Sequence, residues 1–328
     1  MDASPTIPRL PVNLGDGLRL RRATPADGEA LAAFNHQIHE THPDRPPDHR
    51  LETWVRDLIS GRHPTFRVED FTLVEDQSSG KIVSSANLIS QVWSYEGISF
   101  RVGRPELVGT DPQYRNRGLV RKQFDVLHAW SAARGELAQA ITGIPFYYRL
   151  FGYEMAVDLG GGRQYAIPQQ IPKLKEGDSE PFQIRPAVEA DLPFLARCYR
   201  QGQGRWLLSA NWDEDLLRYE LLGKHPDNVN RVVLEVIQSQ AGEAVGFFTH
   251  PAYLLGSPER TAVTYLELVP GTSWYAAVPA VMRHMVRLGQ QMVTAEKKEP
   301  LDAVELHLGP EHPAYDVVAY QCTADPRP

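Results

Sequence analysis

The order of hydrophobic and polar positions in the first half of the chain predicts a series of strands and helices. Apolar residues at every second position indicate half-buried strands, and apolar residues three or four apart indicate amphipathic helices. The predicted elements are strands near Leu18–Arg22, Asp70–Asp76, Lys81–Ser94, Gly97–Asp111 and Leu137–Gly143, and helices over Asp27–His39, His49–Ser60 and Gly118–Arg134.

The second half shows the same order of elements. The predicted strands are Gln183–Pro186, Arg231–Ser239, Ala244–Pro251, Arg260–Val269 and Leu301–Leu308, and the predicted helices are Ala190–Arg200, Asp213–Leu222 and Val278–Thr294. Mixed strands with helices on both faces are typical of an α+β layered domain. We therefore predict an α+β fold in which each half forms a twisted mixed β-sheet flanked by helices.

An internal repeat supports two copies of one domain. Leu20–Phe34 reads LRRATPADGEALAAF and Ile184–Cys198 reads IRPAVEADLPFLARC, and the two align without gaps. The identical pairs are Arg21/Arg185, Ala23/Ala187, Ala26/Ala190, Asp27/Asp191, Leu31/Leu195 and Ala32/Ala196. A polar stretch with KLKEGDSE at its centre has the composition of a linker. The predicted domains are residues 1–167 and 182–328, joined by a linker at 168–181.

Composition narrows the class of protein. The net charge of −7 over 328 residues argues against a general nucleic-acid binder, which needs a broad basic face. Two distant cysteines, Cys198 and Cys322, do not make a disulfide framework and favour a reducing compartment. The N-terminus lacks the apolar core of a signal peptide, and no run approaches the ~18 apolar residues that span a membrane. We expect a cytoplasmic protein that binds neither nucleic acid nor membrane.

A basic loop breaks this acidic background. Arg115, Arg117, Arg121 and Lys122 surround Gly118, between a predicted strand and a predicted helix. The first N–H groups of a helix lack intrahelical partners and, with the helix dipole, favour an anion. Glycine lets a phosphate approach the backbone. The loop is thus a candidate pyrophosphate site, and the alternative is a solvated basic turn. Two other phosphate-binding motifs are excluded: the sequence has no P-loop pattern G-x-x-x-x-G-K-[ST], and no G-x-G-x-x-G follows a predicted strand.

Two motifs resemble the GCN5-related N-acetyltransferase (GNAT) superfamily. The loop Arg115–Val120, RNRGLV, resembles its acyl-CoA loop [Q/R]-x-x-G-x-[G/A], and Phe146–Tyr153, FYYRLFGY, resembles the segment that follows its fifth strand. Val120 departs from the pattern, because that position is usually small. The R-x-R-G-L-V-R order is similar to the enhanced intracellular survival family, which joins two such domains and adds a third. Since the sequence ends at Pro328, we expect no third domain, and no role of a C-terminal carboxylate is carried over.

The resemblance implies direct acetyl transfer from acetyl-CoA, the acyl-donor substrate, to an amine. It places a backbone N–H of Val108 or Gly109 on the thioester oxygen, as oxyanion-type stabilisation. It also assigns Tyr148, four residues before Gly152, as the acid that protonates the leaving thiolate. The implied cofactor-binding residues are Leu107, Val108, Gly109, Arg115, Asn116, Arg117, Gly118, Leu119, Val120, Arg121 and Lys122.

The general base is less well defined by the sequence. Glu106 begins the fourth strand and is the candidate, acting directly or through water, and an exposed strand-end carboxylate is the alternative. His36, His39 and His42 are spaced three apart, so they drift around a helix, and no carboxylate pattern supports a metal. We predict no metal site. The resemblance makes His36 or His39 a candidate to touch the acceptor, since the first two helices of the superfamily commonly line that site, and the alternative is a solvated helix face.

The second copy serves as an internal control. Adding the repeat offset to the loop reaches Pro279–Val286, PAVMRHMV, where Met282 replaces the glycine and Pro279 is predicted to start the helix. Tyr148 corresponds, after a slip of three residues, to Tyr315, Tyr153 to Tyr320, and Gly152 to Ala319. We therefore predict that the second domain is degenerate and does not bind CoA in the usual way.

The predicted function is an acetyl-CoA-dependent N-acyltransferase that acts on a primary amine of a small molecule or peptide. The alternative is a non-catalytic acyl-CoA-binding or regulatory protein. The acidity weakly favours cationic amines. The sequence does not define the acceptor, and it leaves a homodimer open.

Overall fold

The computed structural model describes residues 8–39, 49–144, 146–157, 163–319 and 322–325, which form fifteen strands and seven α-helices. The strands are β1 (Val12–Gly15), β2 (Leu18–Arg22), β3 (Phe71–Asp76), β4 (Lys81–Tyr95), β5 (Ile98–Thr110), β6 (Ala138–Gln139), β7 (Arg163–Ala166), β8 (Gln183–Pro186), β9 (Leu208–Ala210), β10 (Val232–Gln238), β11 (Ala244–Pro251), β12 (Arg260–Val263), β13 (Tyr265–Leu268), β14 (Ala303–Leu306) and β15 (Thr323–Asp325). The helices are α1 (Gly28–His39), α2 (Arg50–Ile59), α3 (Leu119–Ala133), α4 (Leu192–Gln203), α5 (Glu214–Arg218), α6 (Trp274–Glu296) and α7 (Ala314–Val317).

The chain divides into two compact units. The first contains residues 1–154 and 203–229, and the second contains residues 155–202 and 230–328. This division differs from the domain ranges that the sequence predicts, because residues 203–229 lie with the first unit rather than the second. The α+β class is confirmed, since both units combine sheets with helices.

The first unit is built on one sheet with the order β1-β2-β3-β4-β5-β6. Its strands are antiparallel except that β5 and β6 run parallel. Parallel neighbours need a crossover, and α3 supplies it. The predicted strand Leu137–Gly143 is shorter than expected, since only Ala138 and Gln139 pair with β5. The loop before α3 therefore lies at the end of β5, where that strand and β6 separate.

Apolar side chains cover both faces of this sheet. On one face α1 and α2 pack against Leu73, Ile89 and Leu107, and on the other α3 packs against Val74, Val83 and Leu88. The alternation of buried positions along the strands produces these two clusters. Leu107 and Val108, adjacent on β5, belong to opposite clusters. The end of β5 is thus held between the helices of both faces.

Residues from the second sequence half complete the first unit. Strand β9 pairs antiparallel with the far end of β4, and Leu208 lies opposite Tyr95. The buried carboxylate of Asp57 on α2 accepts hydrogen bonds from the backbone of His225 at 2.8 Å and from the side chain of Asn228 at 2.7 Å. Residues 203–229 are therefore fixed to α2 and to the sheet edge.

The second unit contains two four-stranded sheets, with the orders β13-β11-β10-β8 and β12-β14-β7-β15. The predicted strand Arg260–Val269 is split, because β12 pairs with β14 and β13 pairs with β11. Strand β7 comes from the end of the first sequence half and pairs with β14 and β15. Helix α6 supplies much of the core through buried residues such as Met282 and Met285.

The repeat is visible as the same ion pair in both units. Arg21 donates two hydrogen bonds to Asp27, at 2.7 and 2.8 Å, and Arg185 donates two to Asp191, at 2.7 and 2.8 Å. Each aspartate also accepts a bond from the backbone N–H three residues earlier. This pair ties the strand to the helix that follows it in each copy. Within the described part of the chain, no helix combines the length and the apolar character needed to cross a membrane.

Candidate active site

A β-bulge interrupts β5 at its C-terminal end. Gly109 lies opposite Ser85 and Glu106 lies opposite Asn87, so Leu107 and Val108 together face Ala86. Leu107 has a φ of +52°, which is uncommon for a branched residue. Such a bulge removes one residue from the hydrogen-bond ladder. The pairing with β4 is therefore interrupted at Leu107 and Val108, within the stretch Leu107–Gly109 that is predicted to face the thioester.

Two buried serines hold the carbonyl side of the bulge. Ser84 Oγ donates to the carbonyl oxygen of Gly109 at 2.8 Å, and Ser85 Oγ donates to that of Leu107 at 3.1 Å. Fixing these carbonyls fixes the peptide planes that carry the neighbouring N–H groups. Donors held in place before the reaction are what an oxyanion site needs.

The basic loop begins with a short 3₁₀ turn that Asp111 caps by accepting from the N–H of Gln113 at 2.8 Å. The Tyr114 hydroxyl then donates to Asp76 at 2.8 Å, which anchors the loop to β3. Asn116 and Gly118 both have positive φ, of 62° and 70°. Backbone N–H groups in such turns form anion-binding concavities. The positive φ of Gly118 is the reason for a glycine there, and steric crowding is not, because a Cβ at this position would have no neighbour within 4 Å.

The four cations of the loop have different partners. The Arg117 guanidinium lies 5.0 Å from the centre of the Tyr114 ring. Arg121 donates to the carbonyl of Leu150 at 3.2 Å and lies 5.3 Å from the Phe151 ring, so it links α3 to the aromatic segment. Lys122 lies 3.9 Å from Asp125. Arg115 is exposed, and all four side chains remain at the surface next to the start of α3.

A buried polar network sets the position of α3. Gln123 Oε1 lies 2.7 Å from Ser84 Oγ, and Gln123 donates to the carbonyl of Thr72 at 3.3 Å. Because Ser84 has one hydroxyl hydrogen, Gln123 and the carbonyl of Gly109 share it as acceptors. Leu119, the first helical residue, is buried in the core, and Val120 is half-buried. Since Ser84 also bonds Gly109, one hydroxyl connects the bulge to the helix that carries the loop.

Tyr148 lies in the aromatic segment, on a 3₁₀ turn that ends at Gly152. Its ring packs so closely on Gly143 that a Cβ on that glycine would lie 2.7 Å from Cε2. Burial, and then the neighbouring Tyr147 and Glu106, raise the pKa of Tyr148 to about 12. The phenol is therefore protonated at neutral pH and available as a donor. The charge of Glu106 is thus one of the influences on the pKa of Tyr148.

Glu106 is less exposed than its place on the strand suggests. Its carboxyl side chain is 14% exposed, and Arg104 Nε lies 2.6 Å from Oε1, off the axis of a hydrogen bond. Burial raises the pKa of Glu106, and Arg104 only partly opposes that effect. A carboxylate with a raised pKa accepts a proton more readily than a solvated one. The alternative of an exposed carboxylate does not describe this position.

The first two histidines of H-x-x-H-x-x-H, His36 and His39, have different surroundings in the structure. The His36 ring stacks on His49, with centroids 5.3 Å apart, and His49 lies 3.6 Å from Glu52. Among the described residues, His36, His49 and Glu52 are the group whose potential metal-ligand atoms all lie within 4.8 Å of one another. His39 instead faces Gly109, and His42 lies outside the described residues.

The second unit differs from the prediction at the equivalent of the loop. Helix α6 begins at Trp274, so Pro279 lies inside it and does not start it. Since β13 ends at Leu268, the stretch before α6 is Val269–Ser273, VPGTS, which carries no cation. Met282 faces the core, not a phosphate. Tyr315 donates to the carbonyl of Leu306 at 2.9 Å and accepts from the N–H of Leu308 at 3.2 Å, and Tyr320 lies outside the described residues.

Sequence reasoning did not find several parts of this site. The bulge at Leu107 has no signal in the residue pattern, and Asp76 bonds Tyr114, which is distant in sequence. A glycine shortly before an aromatic cluster is the one signal that could have indicated the packing of Gly143 against Tyr148.

The chain was compared with known proteins. Residues 20–156 match the family described as an acetyltransferase (GNAT) domain. This match covers less than half of the chain and makes the stretch similar to a GNAT acetyltransferase domain. It contains the bulge, the basic loop and Tyr148. No curated protein sequence matches the chain at a significant level.

Solved N-acyltransferases share the fold across both units. The N-myristoyltransferase of Saccharomyces cerevisiae with bound myristoyl-CoA has a TM-score of 0.62 at 11% identity, over 92% of this chain and 79% of that one. A GCN5-related N-acetyltransferase from Kribbella flavida has a TM-score of 0.58 at 18% identity, over 94% and 68%. A probable N-acyltransferase from Enterococcus faecalis V583 has 0.56 at 14%, over 88% and 64%. These likenesses show the fold, and the match of residues 20–156 to an acetyltransferase (GNAT) domain supports an N-acetyltransferase enzyme.

Proposed function

We propose that the first unit transfers an acetyl group from acetyl-CoA directly to a primary amine of a small molecule or peptide. The observation that carries this proposal is the bulge at Leu107 near the end of β5, which is followed in the chain by the left-handed Gly118 at the start of α3. The ring of Tyr148, which packs on Gly143 after β6, supports it further. A thioester placed there would have donors for its oxygen and for its sulfur.

The cofactor would be held by its pyrophosphate at the start of α3. The N–H groups of Leu119, Val120 and Arg121 precede the first intrahelical bond, which Lys122 makes to Gly118 at 3.1 Å. The basic side chains of the loop would add charge-assisted bonds. The solved yeast N-myristoyltransferase contains myristoyl-CoA, which supports an acyl-CoA donor for this fold.

Each chemical step has a residue in the proposed site. Val108 or Gly109 N–H would stabilise the oxyanion that forms when the amine attacks the thioester carbon. Glu106 would take the proton of the ammonium form, directly or through water. The C–N bond then forms, the C–S bond breaks, and Tyr148 gives its proton to the leaving thiolate. Because Glu106 must be ionised to act, the rate should fall as the pH drops through its raised pKa.

The second unit is proposed to be a degenerate copy without its own CoA site. The stretch Val269–Ser273 before α6 lacks cations, and the Tyr315 hydroxyl is already bonded to the backbone. The proposed domains are residues 1–167 and 182–328, joined by the linker 168–181. Residues 203–229 belong to the second sequence repeat but lie with the first unit. The net charge of −7 favours a cationic acceptor. The proposed location is the cytoplasm, and the proposed oligomeric state to test is a homodimer.

A thermal-shift measurement with CoA and with acetyl-CoA tests the proposal. At about 100 times the dissociation constant, binding to the native state stabilises the protein by roughly 2.7 kcal/mol. The absence of any shift at saturating ligand would contradict an acyl-CoA site. A shift without thiol release in the presence of amines would favour the alternative, a non-catalytic acyl-CoA-binding protein.

A further inference from the structure

The last turn of α1 lies directly on the bulge of β5. A Cβ built on Gly109 would lie 2.7 Å from Ile38 Cγ2 and 3.5 Å from Nε2 of His39. The imidazole of His39 therefore faces the same strand residue whose N–H is a proposed donor to the thioester oxygen. Leu107, two residues earlier on β5, also faces α1 and α2, so His39 lies on the face of the sheet opposite to α3.

The Nε2 atom of His39 is buried and, among the described residues, has no hydrogen-bond partner. A polar atom withdrawn from water without a partner destabilises the fold, so such atoms are uncommon in native proteins. Burial also lowers the pKa of His39. The ring is thus neutral at neutral pH, with one nitrogen that donates and one that accepts.

His36, one turn earlier on the same helix, provides a contrast. Its ring stacks on His49, and its environment includes Glu52. The two histidines therefore differ in their surroundings although they share a helix. An unsatisfied nitrogen next to the bulge is explained if a ligand supplies the missing partner.

We propose that His39 binds the acceptor amine through its buried Nε2 and takes the proton that the nitrogen loses after attack. This assignment rests on the proposed acetyl transfer. The neutral amine attacks the thioester carbon, the C–N bond forms, and the tetrahedral nitrogen passes its second proton to His39. The C–S bond breaks, and the thiolate receives a proton from Tyr148. Glu106 takes the earlier proton, that of the ammonium ion, so each of the two protons has its own acceptor.

The proposal explains two features of the site. Gly109 suits the bulge because a side chain there would displace Ile38, the neighbour of His39 on α1. His39 is kept neutral by burial, which suits a group that must accept a proton from a nitrogen at neutral pH. Acceptor specificity would then be set on the α1 face, away from the α3 face that carries the CoA loop.

The test compares the wild type with His39→Ala, His39→Gln and a control, Gln37→Ala, an exposed position on the same helix. Acetyl-CoA is supplied with a fixed panel of spermidine, tryptamine, lysine methyl ester and a tripeptide with an N-terminal glycine. Thiol release is followed for the amine that the wild type acetylates fastest. A thermal shift reports acetyl-CoA binding for every variant.

We expect kcat/KM for the amine to fall about 10²-fold or more in His39→Ala, within the range for a lost proton acceptor. The acetyl-CoA shift should stay unchanged, added imidazole should restore part of the rate in His39→Ala, and Gln37→Ala should match the wild type. A wild type that turns over while His39→Ala keeps its kcat/KM would overturn the role of His39 alone. A wild type that acetylates no amine of the panel would overturn the proposed function, and this inference with it.

A second readout separates function from folding. Because the unpaired Nε2 destabilises the native state, His39→Leu should raise the melting temperature by about 2 °C while removing amine transfer. A variant that loses both stability and activity would show that His39 serves packing instead.

Discussion

The buried carboxylate of Asp57 is predicted to hold the first unit together. Its side chain is 3% exposed, and its two oxygens accept three hydrogen bonds. Two donors, the N–H of His225 and the amide of Asn228, come from the chain segment that follows the second repeat's first helix. The third donor is Arg62, at 2.8 Å, whose side chain is 55% exposed.

These contacts set the size of the effect of Asp57→Ala. A hydrogen bond to a charged group contributes about 1.5–3 kcal/mol, and two such bonds are buried here. The partly exposed ion pair with Arg62 adds about 0–1 kcal/mol. The substitution also removes one hydrogen bond from the amide of Asn228, which is fully buried. Asp57→Ala should therefore lower the free energy of unfolding by about 3–7 kcal/mol.

Chemical denaturation followed by circular dichroism measures this change. The control is Asp227→Ala, in the same segment, where the carboxylate is 75% exposed and lies 3.7 Å from the His225 ring. This control should change stability by less than about 1 kcal/mol. The fragment 1–167, which lacks residues 203–229, should likewise unfold more easily than the first unit does in the full chain. If Asp57→Ala stays within about 1 kcal/mol of the wild type, the segment is not fixed to α2 as described.

Three further predictions concern the loop, the aromatic segment and the repeat. Gly118→Ala and Gly135→Ala place the same strain on α3, at φ values of +70° and +69°, so each should cost about 1 kcal/mol, and only Gly118→Ala should weaken CoA binding by thermal shift. Gly143→Ala pushes a methyl group into the Tyr148 ring, so kcat should fall at unchanged CoA affinity; an unchanged kcat would contradict this packing. Hydrogen bonds from Arg21 lower the pKa of Asp27 in the folded protein to about 2. The stabilisation by Asp27 is therefore present above the pKa of the unfolded state and is lost as the pH falls toward 2. Asp27→Asn should remove that part of the dependence of the unfolding free energy on acid pH.

The first half of the fold could be predicted well from residue patterns. The helices and long strands there differ from the predictions by one or two residues, because α1, α3, β4 and β5 each have clear apolar periodicity and clear ends. Short pieces were missed. The strands β1, β7 and β9 have four residues or fewer, and their pairing is decided by the sheet edge that they meet.

The second half was less predictable for physical reasons. Helix α6 begins at Trp274, five residues before the proline that was expected to start it. Proline is tolerated inside a helix when surrounding packing compensates for the lost hydrogen bond, and α6 is buried along much of its length. Residues 203–229 carry no signal of the unit to which they belong, since a buried carboxylate 168 positions away along the chain holds His225.

Some residues of the candidate site could likewise be predicted from the sequence, and others could not. The loop Arg115–Lys122 and Tyr148 could be found because their residue types and spacing resemble a known motif. The bulge at Leu107 and the unpaired nitrogen of His39 depend on register and burial, which no local pattern records. Val120, the residue that departs from the motif, is half-buried at the first turn of α3.

Acetyl transfer by the wild type and Tyr148→Phe tests the central claim most directly. The acetylated product, an amide, is detected by mass spectrometry, and thiol release from acetyl-CoA is measured in the same reaction. CoA binding is followed by thermal shift. The account predicts acetylated amine and free thiol in equal amounts for the wild type. For Tyr148→Phe it predicts a kcat lower by about 10²-fold or more with unchanged CoA binding. Equal turnover by the two proteins, or a wild type that binds CoA and forms no acetylated amine, would contradict it.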